Sequence, residues 1–280
     1  MLIPMKIKRN LAHYDGKFIK IKGKEYYCKN AMDPGDQLFA NAIAEKLGII
    51  CATDYIIEAD GDYYYLSYSF NNDGIFKDGN QLGIKSNGLY DIWMFFEKNY
   101  PKDSEKLTYQ LIRVYLFDIF MMNSDRNLGN LGILIRDGVA DLCILDNEYV
   151  FSDFGANLLP KLFFCDRLKS YKCADSLDNR LPICVLKNIE SLEYFLATSA
   201  QEFYDIVLEF YNTLTPDLIL LEMKKLNKMG FTLENQGYSL ILYKKYYELI
   251  GNLLLERGIL DGKRPVSYTH LRAHETGAYL

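Results

Sequence analysis

Three residues, Asp125, Asn130 and Asp146, put an acid, an amide and a second acid at fixed intervals along one stretch of the chain. Residues 106–122 before them carry apolar side chains at Leu107, Leu111, Val114, Tyr115, Ile119 and Met122, the stripe of a helix with one buried face. After Asn130, residues 131–135 and 140–145 form two apolar runs joined by Arg136-Asp137-Gly138, which reads as strand, Asp-Gly turn and strand. A helix therefore delivers Asp125 into a loop, and a hairpin ends on Asp146. This order is the one a phosphoryl-transfer site uses, with one acid to take a hydroxyl proton and an amide and a second acid to hold metal ions. Asp, Asn and Gly also dominate ordinary turns. The reading rests on the frame of helix, loop and hairpin, not on any residue alone.

The segment Asn123-Ser124-Asp125-Arg126-Asn127-Leu128-Gly129-Asn130, followed by Ile144-Leu145-Asp146-Asn147, resembles the HipA-like serine/threonine kinases, the toxin half of many bacterial toxin-antitoxin pairs. Members typically read Asn-x-Asp-Arg-His-x-x-Asn and later carry a hydrophobic strand with an Asp followed by a small or amide residue. The resemblance implies an α+β, protein-kinase-like two-lobed fold, with a small strand-rich N-lobe over residues 1–70 and a larger helical C-lobe over 71–265. It implies ATP and Mg²⁺ as cofactors, Asp125 as catalytic base, Asn130 and Asp146 as metal ligands, and a protein serine or threonine as acceptor. A separately encoded antitoxin is the partner it suggests, and the chain corresponds to a short, stand-alone form. Two positions depart from the pattern. Asn127 stands where the family carries His, and Asp146-Asn147-Glu148 stands where other kinases carry Asp-Phe-Gly. A literal Asp153-Phe154-Gly155 comes seven residues further on. Kinase geometry needs the ligand held rigidly at the strand end, which favours Asp146. The same residues would serve a small-molecule or lipid acceptor, and a nucleotide-binding scaffold without turnover is the remaining alternative.

Asp118 falls on the apolar stripe and is expected to be a buried, paired acid. Arg126 is read as a brace and left out of the catalytic set. Ahead of the loop, residues 17–22 and 25–29 read as a hairpin, and Pro34 opens a helix that Gly48 closes. Residues 52–58 and 63–68 form a second strand pair around Asp60-Gly61. By the resemblance, Lys29 is the candidate for the lysine that contacts nucleotide phosphates, with Lys24 or Lys22 on a shifted register. Leu66 and Tyr68 belong to the hinge against which adenine is expected. The helix acid that pairs with such a lysine stays unassigned among Asp36, Gln37 and Glu45, and Gly16 alone makes no phosphate cradle. Beyond Gly74 the character turns helical, over 88–100, 104–122, 191–196, 199–214, 216–229 and 236–257. Residues 151–186 read as an activation or substrate loop.

At 280 residues and 49% hydrophobic content the chain can bury a large core. It has no run of eighteen apolar residues and no signal peptide, so no membrane association is expected and a cytoplasmic location is. A net charge of −5 argues against direct nucleic-acid binding. The six cysteines form no Cys-x-x-Cys pair and read as reduced thiols. Residues 266–280 resemble translated sequencing-adapter read-through, so the two histidines at 270 and 274 are expected to carry no function, and the native C-terminus is expected to be missing.

Overall fold

The structure is a computed structural model that describes residues 11–31, 34–59, 61–85, 88–123, 126–147, 150–151, 183–199, 201–233 and 236–260. The chain divides into two compact units, Met1–Asp153 with Leu220–Glu234, and Phe154–Ile219 with Asn235–Leu280.

The first unit holds two four-stranded sheets. Strands β1 (Lys17–Ile21), β2 (Lys24–Asn30), β4 (Asp54–Ala59) and β5 (Asp62–Tyr68) make an antiparallel sheet in the order β1-β2-β5-β4. The turn at Lys22-Gly23 is left-handed at both residues (φ 49° and 80°), the conformation that matches the twist of a two-residue hairpin. Between β2 and β4 the chain forms α1 (Pro34–Lys46), whose Phe39, Ala40, Ile43 and Ala44 are buried. Its C-terminal carbonyls favour a cation. The buried Arg113 supplies one, donating from Nε and Nη2 to the Leu47 carbonyl.

The second sheet has the order β3-β8-β7-β6, built from β3 (Ile50–Cys51), β6 (Ile75–Asp78), β7 (Leu131–Arg136) and β8 (Val139–Ile144). The β7–β8 hairpin turns at Asp137-Gly138, both left-handed, as the Asp-Gly signal predicts. The helical character expected beyond Gly74 is corrected for Ile75–Asp78, which forms an edge strand paired with β7. Likewise β3 pairs in parallel with β8 through only two residues. Two helices, α2 (Leu89–Asn99) and α3 (Ser104–Met121), follow β6, and α3 packs on β8. Burial pushes the thiols of Cys51 and Cys143 up to about 12 and that of Cys28 up to about 11, which keeps all three protonated at neutral pH.

Gly35, in the first turn of α1, fixes the 220–234 segment against this unit. A Cβ there would stand 2.0 Å from the Thr232 carbonyl oxygen. Because the obstacle is backbone, Gly35→Ala is expected to destabilise the chain by about 1–3 kcal/mol or more through overpacking. Chemical denaturation measures this, and a midpoint equal to the parent's would mean the two backbones separate freely.

In the second unit, α4 (Ile183–Thr198), α5 (Tyr204–Thr213) and α7 (Gln236–Glu256) carry the core; α6 (Pro216–Lys228), between α5 and α7 in the chain, belongs to the first unit from Leu220 on. Tyr211 and Tyr247 stack with ring centroids 4.3 Å apart, and the Tyr247 hydroxyl donates to the Tyr211 carbonyl at 3.0 Å. The first helix predicted there, over 191–196, extends back to Ile183. Among the described residues no helix is long and apolar enough to cross a membrane.

Candidate functional site

Helix α3 stops where Met122 turns left-handed (φ 51°), its N–H returning to the carbonyls of Asp118 and Ile119. The Asn123 N–H bonds to the Asp118 carbonyl at 2.9 Å, so the chain leaves the helix along a fixed path. Non-glycine residues adopt this conformation at a cost of about 1–2 kcal/mol. Among the described residues five do so: two sit in the hairpin turns, and the other three, Met122, Asp146 and Phe151, flank this loop. Strained backbone of that kind gathers where surrounding structure over-determines it.

The surrounding structure here is Arg126. Its Nε lies 3.0 Å from Asp118 Oδ2 and its Nη2 3.0 Å from Asp118 Oδ1, both side chains being 15% exposed. Nη1 donates to the carbonyls of Asn130 (2.9 Å) and Leu145 (3.1 Å), and Nη2 to Asn147 Oδ1 (2.7 Å). One planar guanidinium thus ties the end of α3, the loop and the end of β8 together, a task a lysine's single ammonium cannot perform. Asn123 Nδ2 adds a 2.7 Å bond to Asp118. The paired acid expected at Asp118 is present, and Arg126 braces more than the sequence suggests.

At the mouth of the hairpin, Lys29 Nζ lies 3.2 Å from both carboxylate oxygens of Asp146. The two residues are separated by 117 positions, and the sequence reading singles out both of them. Their side chains are 33% and 35% exposed, so the pair contributes about 0–1 kcal/mol and is cheap to exchange for another partner. The Asn130 backbone is held from both sides, its carbonyl accepting from Arg126 and from the Leu145 N–H at 3.0 Å. Asn127 Oδ1 accepts the Gly129 N–H at 2.8 Å, so this residue shapes the loop locally. Asp125 lies outside the described residues, and so does Asp153-Phe154-Gly155. Their neighbours Asn123 and Arg126 bracket Asp125, and both bond to Asp118.

Register decides what else faces Lys29. In the first sheet Lys29 lies opposite Tyr65, and Tyr65 opposite Ile56, while the next pairs on the same face are Tyr27 with Ser67 and Ser67 with Asp54. Leu66 and Tyr68 therefore point to the opposite face. Leu66 is buried there with Cys28, Ile57 and Tyr64, and the Tyr68 ring meets Tyr26 at 5.6 Å. On the Lys29 side these two offer main chain only. The chain then crosses between sheets at 69–74, pinned where Ser69 Oγ bonds Glu25 Oε1 (2.9 Å) and Asn72 Nδ2 bonds the Glu25 carbonyl (2.7 Å).

Four residues carry the site's inner polar network; the sequence reading names Gln37 and Asn147 without their partners and does not name Asn41 or Asp54. Asp54, 4% exposed, accepts from Gln37 Nε2 (2.7 Å), Asn41 Nδ2 (2.6 Å) and the Ser67 hydroxyl. Burial pushes its carboxyl above the usual range, against the pull of those three donors. Asn147, fully buried, donates its N–H to Gln37 Oε1 (2.6 Å) and its Nδ2 to Asn41 Oδ1 (2.9 Å). A cavity of about 510 Å³ borders the same network at Asn41 and Asp54 and extends along α1 to Glu45; neither Lys29 nor Asp146 lines it. Among the described residues no three His, Cys, Asp or Glu side chains gather as a metal cluster.

The fold is that of a kinase. The structure is similar to the crystal structure of the proinflammatory kinase CtkA of Helicobacter pylori, with a TM-score of 0.61 over 86% of this chain and 94% of that one, at 13% sequence identity. No family model matches the chain, and no curated protein matches its sequence. The α+β, kinase-like architecture expected from the loop and hairpin is thereby shown.

Proposed function

We propose that this chain is an ATP- and Mg²⁺-dependent kinase that transfers the γ-phosphoryl group to a serine or threonine of a protein. The observation that carries the reading is the meeting of Lys29 with both oxygens of Asp146 at the end of β8, on a kinase fold. Lys29 reaches the phosphates, leaving an ion pair too weak to hold it back. By the resemblance, Asp146 and the amide oxygen of Asn130 would supply hard-oxygen donors. Such a set suits Mg²⁺, which takes one or two carboxylates and completes its shell with phosphate and water. Bound there, the ion would neutralise charge on the phosphates. By the resemblance of the loop, Asp125 takes the acceptor hydroxyl's proton.

Incubation with labelled ATP and Mg²⁺, first alone and then with added proteins, tests the reading. Label on the chain or on serine and threonine of an added protein is expected. Nucleotide binding with no label on any acceptor would replace the reading with a non-catalytic scaffold. Lys29→Met is expected to raise the ATP concentration needed for half-maximal transfer by about 10- to 100-fold, the worth of a hydrogen bond to a charged group. A parental ATP requirement in that variant would move the phosphate contact to another lysine.

A further inference from the structure

Gln37 stands in the first turn of α1 and is 5% exposed, with both ends of its amide used. Oε1 accepts the Asn147 N–H at 2.6 Å, and Nε2 donates to Asp54 Oδ2 at 2.7 Å. An N–H can only donate and a carboxylate can only accept, so the partners fix which end of the amide points where. Asp54 is itself immobilised, since Asn41 and Ser67 also donate to it. On the other side, Asn147 cannot turn away. Its side chain is clamped between Arg126 and Asn41.

The peptide between Asp146 and Asn147 is therefore oriented by a side chain of α1. Asp146 sits in the left-handed region (φ 50°), where a small change in that peptide swings the direction of Cβ and the carboxylate. Lys29, the partner of that carboxylate, lies at the end of β2 just ahead of α1. We infer that Gln37 is a positioning residue that couples the seating of α1 to the direction of the Asp146 carboxylate, through the Asn147 main chain. A kinase helix acid would act on the lysine; this neutral amide acts on the acid. The inference rests on the kinase reading for its catalytic consequence and on the hydrogen bonds for its structural one.

Two measurements separate those. In the unaltered chain, amide hydrogen exchange is expected to show the Asn147 N–H protected like the amides of β8, although it lies outside any strand. Rapid exchange at Asn147 would overturn the inference whatever a variant does. In Gln37→Met, which keeps the length and removes both hydrogen bonds, exchange at Asn147 is expected to rise about tenfold, the worth of one buried hydrogen bond. Exchange in β1 and β2 stays parental. The Mg²⁺ concentration for half-maximal transfer to protein rises with it, a shift that a merely structural role would not produce. Parental exchange at Asn147 and a parental Mg²⁺ requirement in the variant would overturn the inference and leave the kinase reading standing. If the unaltered chain transfers no phosphate, the kinase reading falls, and the exchange arm still decides what Gln37 does.

Discussion

Arg126→Met is expected to cost about 3 kcal/mol of stability, the lower end of the penalty for removing one partner of a buried, hydrogen-bonded ion pair, since both side chains are 15% exposed. The loss is large because the substitution strands several acceptors at once. Asp118 keeps only its bond from Asn123 among those described above, and the carbonyls of Asn130 and Leu145 and the Asn147 side chain lose the same donor. Arg126→Lys is expected to recover only part of this, since an ammonium cannot present a planar fork to carboxylate and carbonyls together. Urea unfolding followed by circular dichroism measures both. If Arg126→Met unfolds at the parental midpoint, the loop is held by other contacts and the guanidinium is not its brace.

Asp146→Asn is expected to do the opposite, leaving stability almost unchanged while removing most phosphoryl transfer. The Lys29–Asp146 pair is a third exposed and worth little to the fold, and Asn tolerates the left-handed backbone as Asp does. The charge is what disappears. Removing one group that stabilises developing charge in a site of this kind lowers turnover by about 10²- to 10³-fold. Asp153→Ala, made in parallel, is expected to keep most of the transfer. The reverse pattern would hand the metal to Asp153 in spite of its distance from the end of β8 in the chain. Reading turnover and melting temperature on the same samples separates this substitution from Arg126→Met, where both fall together.

The parts of the fold legible in the sequence are those whose cause is local. Asp137-Gly138 calls for a left-handed two-residue turn and produces one; Pro34 and Gly48 bound α1 within a residue or two; the apolar stripe over 106–122 yields α3. Strand β6 was not legible. Ile75–Asp78 is four residues long and exists as a strand because β7 offers it hydrogen bonds. The two residues of β3 have even less local signal and are defined by β8, more than ninety positions away. Such pairings belong to the partner strand as much as to the segment itself.

For the site, residue types and their spacing along the chain are enough to say which chemistry-bearing residues are present and how a helix, a loop and a hairpin space Asn130 and Asp146. It brought out Lys29 and Asp146 separately, from motif and position. That they meet at 3.2 Å was decided by the tertiary structure, as was the face of the first sheet on which Leu66 and Tyr68 lie. Alternation says that 66 and 68 point one way and 65 and 67 the other, but only the packing of α1 on the sheet decides which side is the working one. Asn41 and Asp54 carried no signal, and Gln37 and Asn147 were visible only as positions in a helix and a motif, without their partners, for a related reason. An amide or a carboxylate in a sequence has no preferred partner. It acquires one when burial strips away its water and leaves, within hydrogen-bonding distance, a single arrangement that satisfies every donor and acceptor at once.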